Sequence, residues 1–244
     1  MKKFLPVFLG TIVVGNTVVY ADEKVHWDYT DPTHWAELSD DFEMCGIGKN
    51  QSPVNLTHMI EAEMKEISFA YQEVSLSETN NKHTIVVNYQ NSGHIIVDEN
   101  TFELGQFHFH APSEHQIESQ SFPLEAHLVH KDAKGNLAVV GIMFTEGEAN
   151  PFLEKVWQYM PTEEGQKDAP KEVTVNAIDL LPENKDYYRY EGSLTTPPCS
   201  EGVRWMIMKQ PVTASAEQIK QFKAVMHHDD NRPVQPINAR VILK

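Results

Sequence analysis

The sequence predicts a mainly β (α+β) fold, a single domain of many short strands with a few short helices at its surface. Short β-branched or apolar runs recur between turn residues along most of the 244-residue chain. Only two segments carry a helical apolar stripe behind a cap. No internal repeat or low-complexity linker divides the chain, and its length suits one large core.

Residues 84–89 (TIVVNY) are short and β-branched, and residues 94–97 (HIIV) follow the turn Asn91-Ser92-Gly93. Residues 106–110 (QFHFH) alternate polar side chains with phenylalanine. Residues 124–130 and 137–144 read as strands joined across residues 131–136 (KDAKGN). Residues 204–209 are another apolar run, stopped by Pro211. Asn150 followed by Pro151 is a cap with a first-turn proline. Behind it, Leu153, Val156, Trp157 and Met160 share one helix face. Ser215 and Gln218 fit a capping box ahead of the stripe Ile219, Phe222 and Met226.

Hydrophobic residues make up 41% and charged residues 23%, which excludes whole-chain disorder, collagen and coiled coil. The formal charge of −15 argues against non-specific nucleic-acid binding, which draws on Lys and Arg against phosphates. It also disfavours anionic membrane surfaces. Residues 1–21 read as a secretory signal: Lys2 and Lys3, a mostly apolar stretch over 4–19, and Val19-Tyr20-Ala21 as a small-x-small site before Asp22. Pro6, Gly10 and Asn16 interrupt the apolar run, which is short for an anchor, so no membrane insertion is expected after cleavage. The expected location is periplasmic or secreted. Cys45 and Cys199 are the only cysteines. In an exported chain such a pair predicts one disulfide, the alternative being two unpaired core thiols.

The residues that carry chemistry begin at Gln106. On a strand, alternate side chains share a face, so His108 and His110 point one way and Phe107 and Phe109 the other. His127, central in the next predicted strand, supplies a third imidazole. Three histidines with an open fourth position make a catalytic zinc site. Neutral imidazoles leave the metal's charge intact, so it acidifies a bound water. Gln106 and Glu125 each stand two residues before a candidate ligand, on its face, where a partner for the second ring nitrogen is needed. Spacing alone does not assign those pairings. His227 and His228 follow a helix and read as solvated. His130 lies near a hairpin, and His26, His34, His58 and His83 show no partner.

Six separated motifs stand in order: Asn50-Gln51-Ser52-Pro53-Val54, residues 106–110, Glu114-His115, Glu125-Ala126-His127, residues 192–198 (GSLTTPP) and residues 231–236 (NRPVQP). The set resembles the α-class carbonic anhydrases, in particular the exported bacterial ones, from Trp27 to Val241. The resemblance implies a central, mostly antiparallel twisted sheet of about ten strands with short peripheral helices. It implies a zinc lyase that reversibly hydrates carbon dioxide to bicarbonate and a proton. Hydroxide formed at the zinc attacks CO2, and His94 shuttles the proton to buffer. His108, His110 and His127 match the zinc ligands. Thr195 matches a hydroxyl that accepts from the hydroxide and donates to Glu114. Thr196 matches the residue that meets bicarbonate and sulfonamide or anion inhibitors. Gln106, Glu125 and the backbone of Asn231 match the groups behind the ligands. Val129, Val139, Leu194, Val203 and Trp205 match the apolar wall for CO2, and Tyr29 matches a hydroxyl on the proton path. Cys45 and Cys199 match the disulfide of secreted members, beside the Thr195 loop. A homodimer is expected by analogy. Ser92 and Val97 depart from the asparagines that line the water chain in well-studied members.

Two other readings are weighed against this one. A binding module of the same fold would have lost zinc ligands, and here all three histidines are present. A zinc esterase is a weak side reaction of the same site. Neither an HExxH motif nor a P-loop occurs to support a peptide or phosphate substrate.

Overall fold

The computed structural model describes residues 25–89 and 91–244. The predicted signal segment, residues 1–21, lies outside them. Two short helices, α1 (Trp35–Leu38) and α2 (Met44–Ile47), precede the strands. The strands are β1 (Asn55–Leu56), β2 (Ser68–Tyr71), β3 (Val74–Ser75), β4 (Glu78–Asn80), β5 (Ile85–Asn88), β6 (Gly93–Val97) and β7 (Asn100–His110). They continue as β8 (Gln116–Ile117), β9 (Leu124–Lys131), β10 (Leu137–Glu146), β11 (Lys167–Asp168) and β12 (Thr174–Val175). Last come β13 (Tyr187–Ser193), β14 (Glu201–Met208) and β15 (Val212–Ala214). Helix α3 (Pro151–Trp157) follows β10, and α4 (Ala216–Met226) follows β15.

Eleven of these strands share one sheet, in the order β11-β4-β5-β7-β9-β10-β14-β13. In addition, β15 pairs with β10, and β6 joins β2 to β7. The sheet is mostly antiparallel, but β10 runs parallel to both β14 and β15. It is therefore mixed at its middle. The larger core lies on one face, where Phe107, Phe109, Leu128 and Val140 meet Phe152 and Trp157 of α3 and Phe222 of α4. The other face carries a smaller cluster with Val139, Val203, Trp205 and Ile207.

Both predicted helix caps are present. Asn150 Oδ1 accepts from the backbone N–H of Phe152 and Leu153. Ser215 and Gln218 form the reciprocal capping box. Helix α4 ends at His227, whose left-handed backbone (φ 63°) turns the chain towards the site.

One irregularity decides which residues face the site. The pairing of β7 with β9 slips between Leu104 and Gln106, so Gly105 is an extra residue in β7. Phe102 and Leu104 before it, and Phe107 and Phe109 after it, all join the larger core. The slip is what sends Gln106, His108 and His110 to the opposite face.

Candidate metal centre

Strands β7 and β9 place the three predicted ligands by register alone. His108 stands directly opposite His127, and His110 opposite Glu125. The ligating nitrogens of His108, His110 and His127 all lie within 4.8 Å of one another. Each ring is aimed by its other nitrogen. His108 Nδ1–H donates to Gln106 Oε1 at 2.9 Å. His110 Nδ1–H donates to the Asp230 carbonyl at 2.6 Å. His127 Nε2 meets Glu125 Oε1 at 2.8 Å. That leaves Nε2 of His108, Nε2 of His110 and Nδ1 of His127 facing inward. Nε2 of His110 is buried without a hydrogen-bond partner, as a nitrogen meant for a metal would be.

The electrostatics suit neutral ligands. Burial, then the neighbouring His110 and His127, holds the His108 pKa well below its ordinary value. Burial likewise lowers that of His127, against the pull of Glu125. For His110 burial is outweighed by Glu114 and Asp230, which raise it. Three nitrogens, no thiolate and no ligating carboxylate fit zinc in an open site.

Glu125 is the hub behind the ligands. Its Oε2 accepts from the backbone N–H of Glu114 (2.8 Å) and of His115 (2.9 Å). Its Oε1 meets His115 Nδ1 as well as His127, both at 2.8 Å. Burial alone would raise the Glu125 pKa, but the His115 and His127 rings hold it well below the carboxylate range. The chain runs on from His115 Nε2 to the Tyr190 hydroxyl (2.7 Å) and from there to Ser52 Oγ (2.7 Å). The triple His115, Glu125 and His127 is thus a hydrogen-bonded relay and not a second metal cluster.

Glu114 is buried, with Oε1 accepting from the Arg232 backbone N–H at 2.9 Å. Its Oε2 has no partner and lies 3.6 Å from His110 Nε2 and 3.8 Å from His127 Nδ1. Thr195 is buried two residues beyond Ser193, whose carbonyl accepts from Trp205 Nε1–H at 2.9 Å. The predicted apolar wall is contiguous: Val139, Val203 and Trp205 form one cluster, with Val129 and Leu194 packed against it. Cys45 and Cys199 are joined. The Cys199 N–H donates to the Thr196 carbonyl at 2.9 Å, so the disulfide braces the Thr195–Thr196 loop.

Two expectations are corrected. The backbone behind His110 belongs to Asp230, one residue before Asn231, and Asp230 Oδ1 also holds the Ala111 N–H at 2.7 Å. The second concerns His94. It stands opposite Ala70 on β2 and Glu103 on β7. Glu103 is five positions short of His108, roughly 15 Å away along the strand. Val97 faces the larger core, not a water path. The histidine that the register brings towards His110 is His83. Val86 pairs with His108, so running back from Val86 brings the chain alongside His110. Thr84 Oγ1–H fastens it there by donating to the Phe109 carbonyl at 2.6 Å. The His83 ring stacks on Trp27 at 3.7 Å, and Trp27 packs edge-on against Tyr29.

A signal against His94 is present in the sequence. The tight turn Asp98-Glu99 pairs Val97 with Asn100, which by counting puts His94 opposite Glu103. His115 and Arg232 stand inside two of the quoted motifs without a role that sequence could assign, and Tyr190 carried no signal. The buried Arg232 guanidinium donates to Gln51 Oε1 and to the Ser52 and Cys45 carbonyls, partners more than 170 residues away in the chain.

Comparison with known proteins agrees with this geometry. The sequence profile of the eukaryotic-type carbonic anhydrases matches residues 30–244. A carbonic anhydrase of Pectobacterium atrosepticum is 49% identical over 227 residues, covering 91% of this chain and 92% of the relative. The α-carbonic anhydrase of Thermovibrio ammonificans, solved with the inhibitor sulfanilamide, superposes with a TM-score of 0.87 at 50% identity, over 90% of this chain and 99% of that one. A hyperthermostable carbonic anhydrase from an active hydrothermal vent chimney gives 0.87 at 53% identity, over 89% and 99%. With the ligand register, the backing of each ring and this likeness along nearly the whole chain in agreement, the protein belongs to the α-carbonic anhydrase family.

Proposed function

We propose that the protein converts carbon dioxide and water reversibly to bicarbonate and a proton at this centre, as an exported enzyme. The observation that carries the reading is the convergence of three oriented imidazole nitrogens beside an apolar wall. Zinc held by His108, His110 and His127 supplies a Lewis acid that lets water ionise near neutral pH. The protein's own residues do the rest. Val129, Val139, Leu194, Val203 and Trp205 offer CO2, an apolar molecule, a surface without hydrogen-bond competition. The Thr195 hydroxyl has one proton to give. Given to the unpartnered Glu114 Oε2, it leaves the Thr195 oxygen as an acceptor only, which orients the attacking water's lone pair towards the wall. Thr196 receives bicarbonate, and the same place takes sulfonamide and anion inhibitors.

The proton leaves past Tyr29, whose burial keeps its hydroxyl protonated and so a donor. His83, not His94, is the histidine on that route. Export is supported by the Cys45–Cys199 disulfide, a bond of oxidising compartments. No helix among the described residues is long and apolar enough to cross a membrane.

Stopped-flow CO2 hydration tests the reading. Hydration should vanish on chelation and return with zinc, while turnover of an activated ester stays far slower. Ester turnover matching or exceeding CO2 turnover would overturn it in favour of a hydrolase.

A further inference from the structure

Beside Tyr29 stands a second histidine, His228, that the reading above leaves without a task. Helix α4 stops at His227 in a left-handed turn, and the next residue, His228, is exposed. Two residues later the same segment supplies the Asp230 carbonyl to His110. His228 is therefore tied by a short, fixed stretch of chain to the metal centre. Its ring lies 6.0 Å from the Tyr29 ring. Tyr29 in turn feels the charges of Glu114 and Asp230. The Trp27–Tyr29 pair, with ring centres 5.5 Å apart, is thus flanked by two imidazoles: His83 flat on Trp27 and His228 against Tyr29.

The two rings are not equivalent. His83 is half-buried against Trp27, where burial, then the Lys82, His26 and His228 charges, lowers its pKa to about 4. In that position it is a weaker base than an imidazole in water, so it carries only part of the proton flow. His228 is in water, and its Nδ1–H donates to the Asp229 carbonyl at 3.1 Å. That bond fixes the tautomer and leaves the Nε2 lone pair free to take a proton.

We propose that His228 is a second proton acceptor of the hydration reaction, across the Trp27–Tyr29 pair from His83. The proposal rests on the carbonic anhydrase reading. Water in the site gives up a proton, which passes through solvent past Tyr29 to His228 Nε2 and forms an imidazolium. A buffer base then removes it and restores the neutral ring. No other bond changes.

The test uses zinc-loaded protein in dilute buffer, with CO2 hydration followed for wild type, His83→Ala, His228→Ala, the double variant and His94→Ala. His228→Ala should lower kcat roughly threefold and the double variant at least tenfold, as expected for loss of a proton-transfer group. The ratio kcat/KM should hold, because CO2 attack precedes the step. Added imidazole should restore kcat, and His94→Ala should match wild type. Nitrogen-15 NMR should show the Nδ1–H tautomer of neutral His228, with or without zinc. A double variant no slower than His83→Ala, or a His228 ring protonated at Nε2 when neutral, would overturn the proposal alone. Zinc-loaded wild type without CO2 hydration would overturn the carbonic anhydrase reading and this proposal with it.

Discussion

Glu125 and Glu78 are both fully buried, yet they sit in opposite surroundings. Glu125, on β9 behind the ligands, has four partners and a pKa held well below its ordinary range. Glu78, on β4 towards the far edge of the same sheet, has no hydrogen-bond partner on either oxygen among the described residues. It stands between Val87 on β5 and Asp168 on β11. Burial, then the Asp168 charge, raises its pKa to about 8. This fold concentrates its polar partners at the metal centre. Backbone N–H groups and imidazoles converge on the carboxylate that aims a ligand, so it is kept charged. The carboxyl one strand in from the sheet's edge is tolerated by staying protonated.

Removing the hub should have the largest effect. Glu125→Ala leaves His115 and His127 without an acceptor, together with the N–H groups of Glu114 and His115. Zinc affinity should fall about 10–100-fold. Stability should fall by about 1–3 kcal/mol for each buried donor left unpaired. Zinc competition and urea unfolding read the two. Unchanged zinc affinity would mean that Glu125 does not hold His127.

Glu78→Leu should act in the opposite sense. The folded state holds the Glu78 proton up to about pH 8, whereas the unfolded carboxyl releases it near the ordinary value of 4.5. Stability from this group is therefore complete below pH 4.5 and is lost as pH rises towards 8. At pH 8 the leucine variant should be more stable by roughly 1–3 kcal/mol, with the gain gone near pH 4.5. Urea unfolding at both pH values checks this. A variant less stable at pH 8 would show that Glu78 has a partner in solution.

Gly141→Ala should be the mildest change. Gly141 lies opposite His127 on β10. A Cβ there would come 3.2 Å from Glu125 Oε1 and 2.5 Å from Ile207 Cδ1. A loss of about 1–2 kcal/mol, typical of overpacking, is expected, with weakened zinc binding. Unaltered zinc binding would show that the hub tolerates crowding.

The ligands were legible because their signal is local. Alternation in residues 106–110 sets the face, and the antiparallel pairing of the next long strand, β9, on β7 brings in His127. The caps of α3 and α4 were legible for the same reason. The proton path was misread because two histidines follow similar polar turns, and only the register of β6 on β7 separates them. The slip at Gly105 is marked in the sequence by a change of phase, the apolar positions moving from 102 and 104 to 107 and 109 across a glycine. Strand β13 (YYRYEGS) mixes charged and aromatic residues and was not seen. Tyr190, which it carries into the relay behind Glu125, went with it. Arg232 and Asp230 depend on pairings across most of the chain, which no local pattern records.

The central claim is that one metal held by the three histidines performs CO2 hydration. The most direct measurement is CO2 hydration alongside zinc content on the same samples of wild type and His127→Ala. Wild type should hold one zinc per chain and hydrate CO2 rapidly, and His127→Ala should lose both together. Full zinc with no hydration in wild type, or undiminished hydration in a His127→Ala protein without zinc, would contradict it.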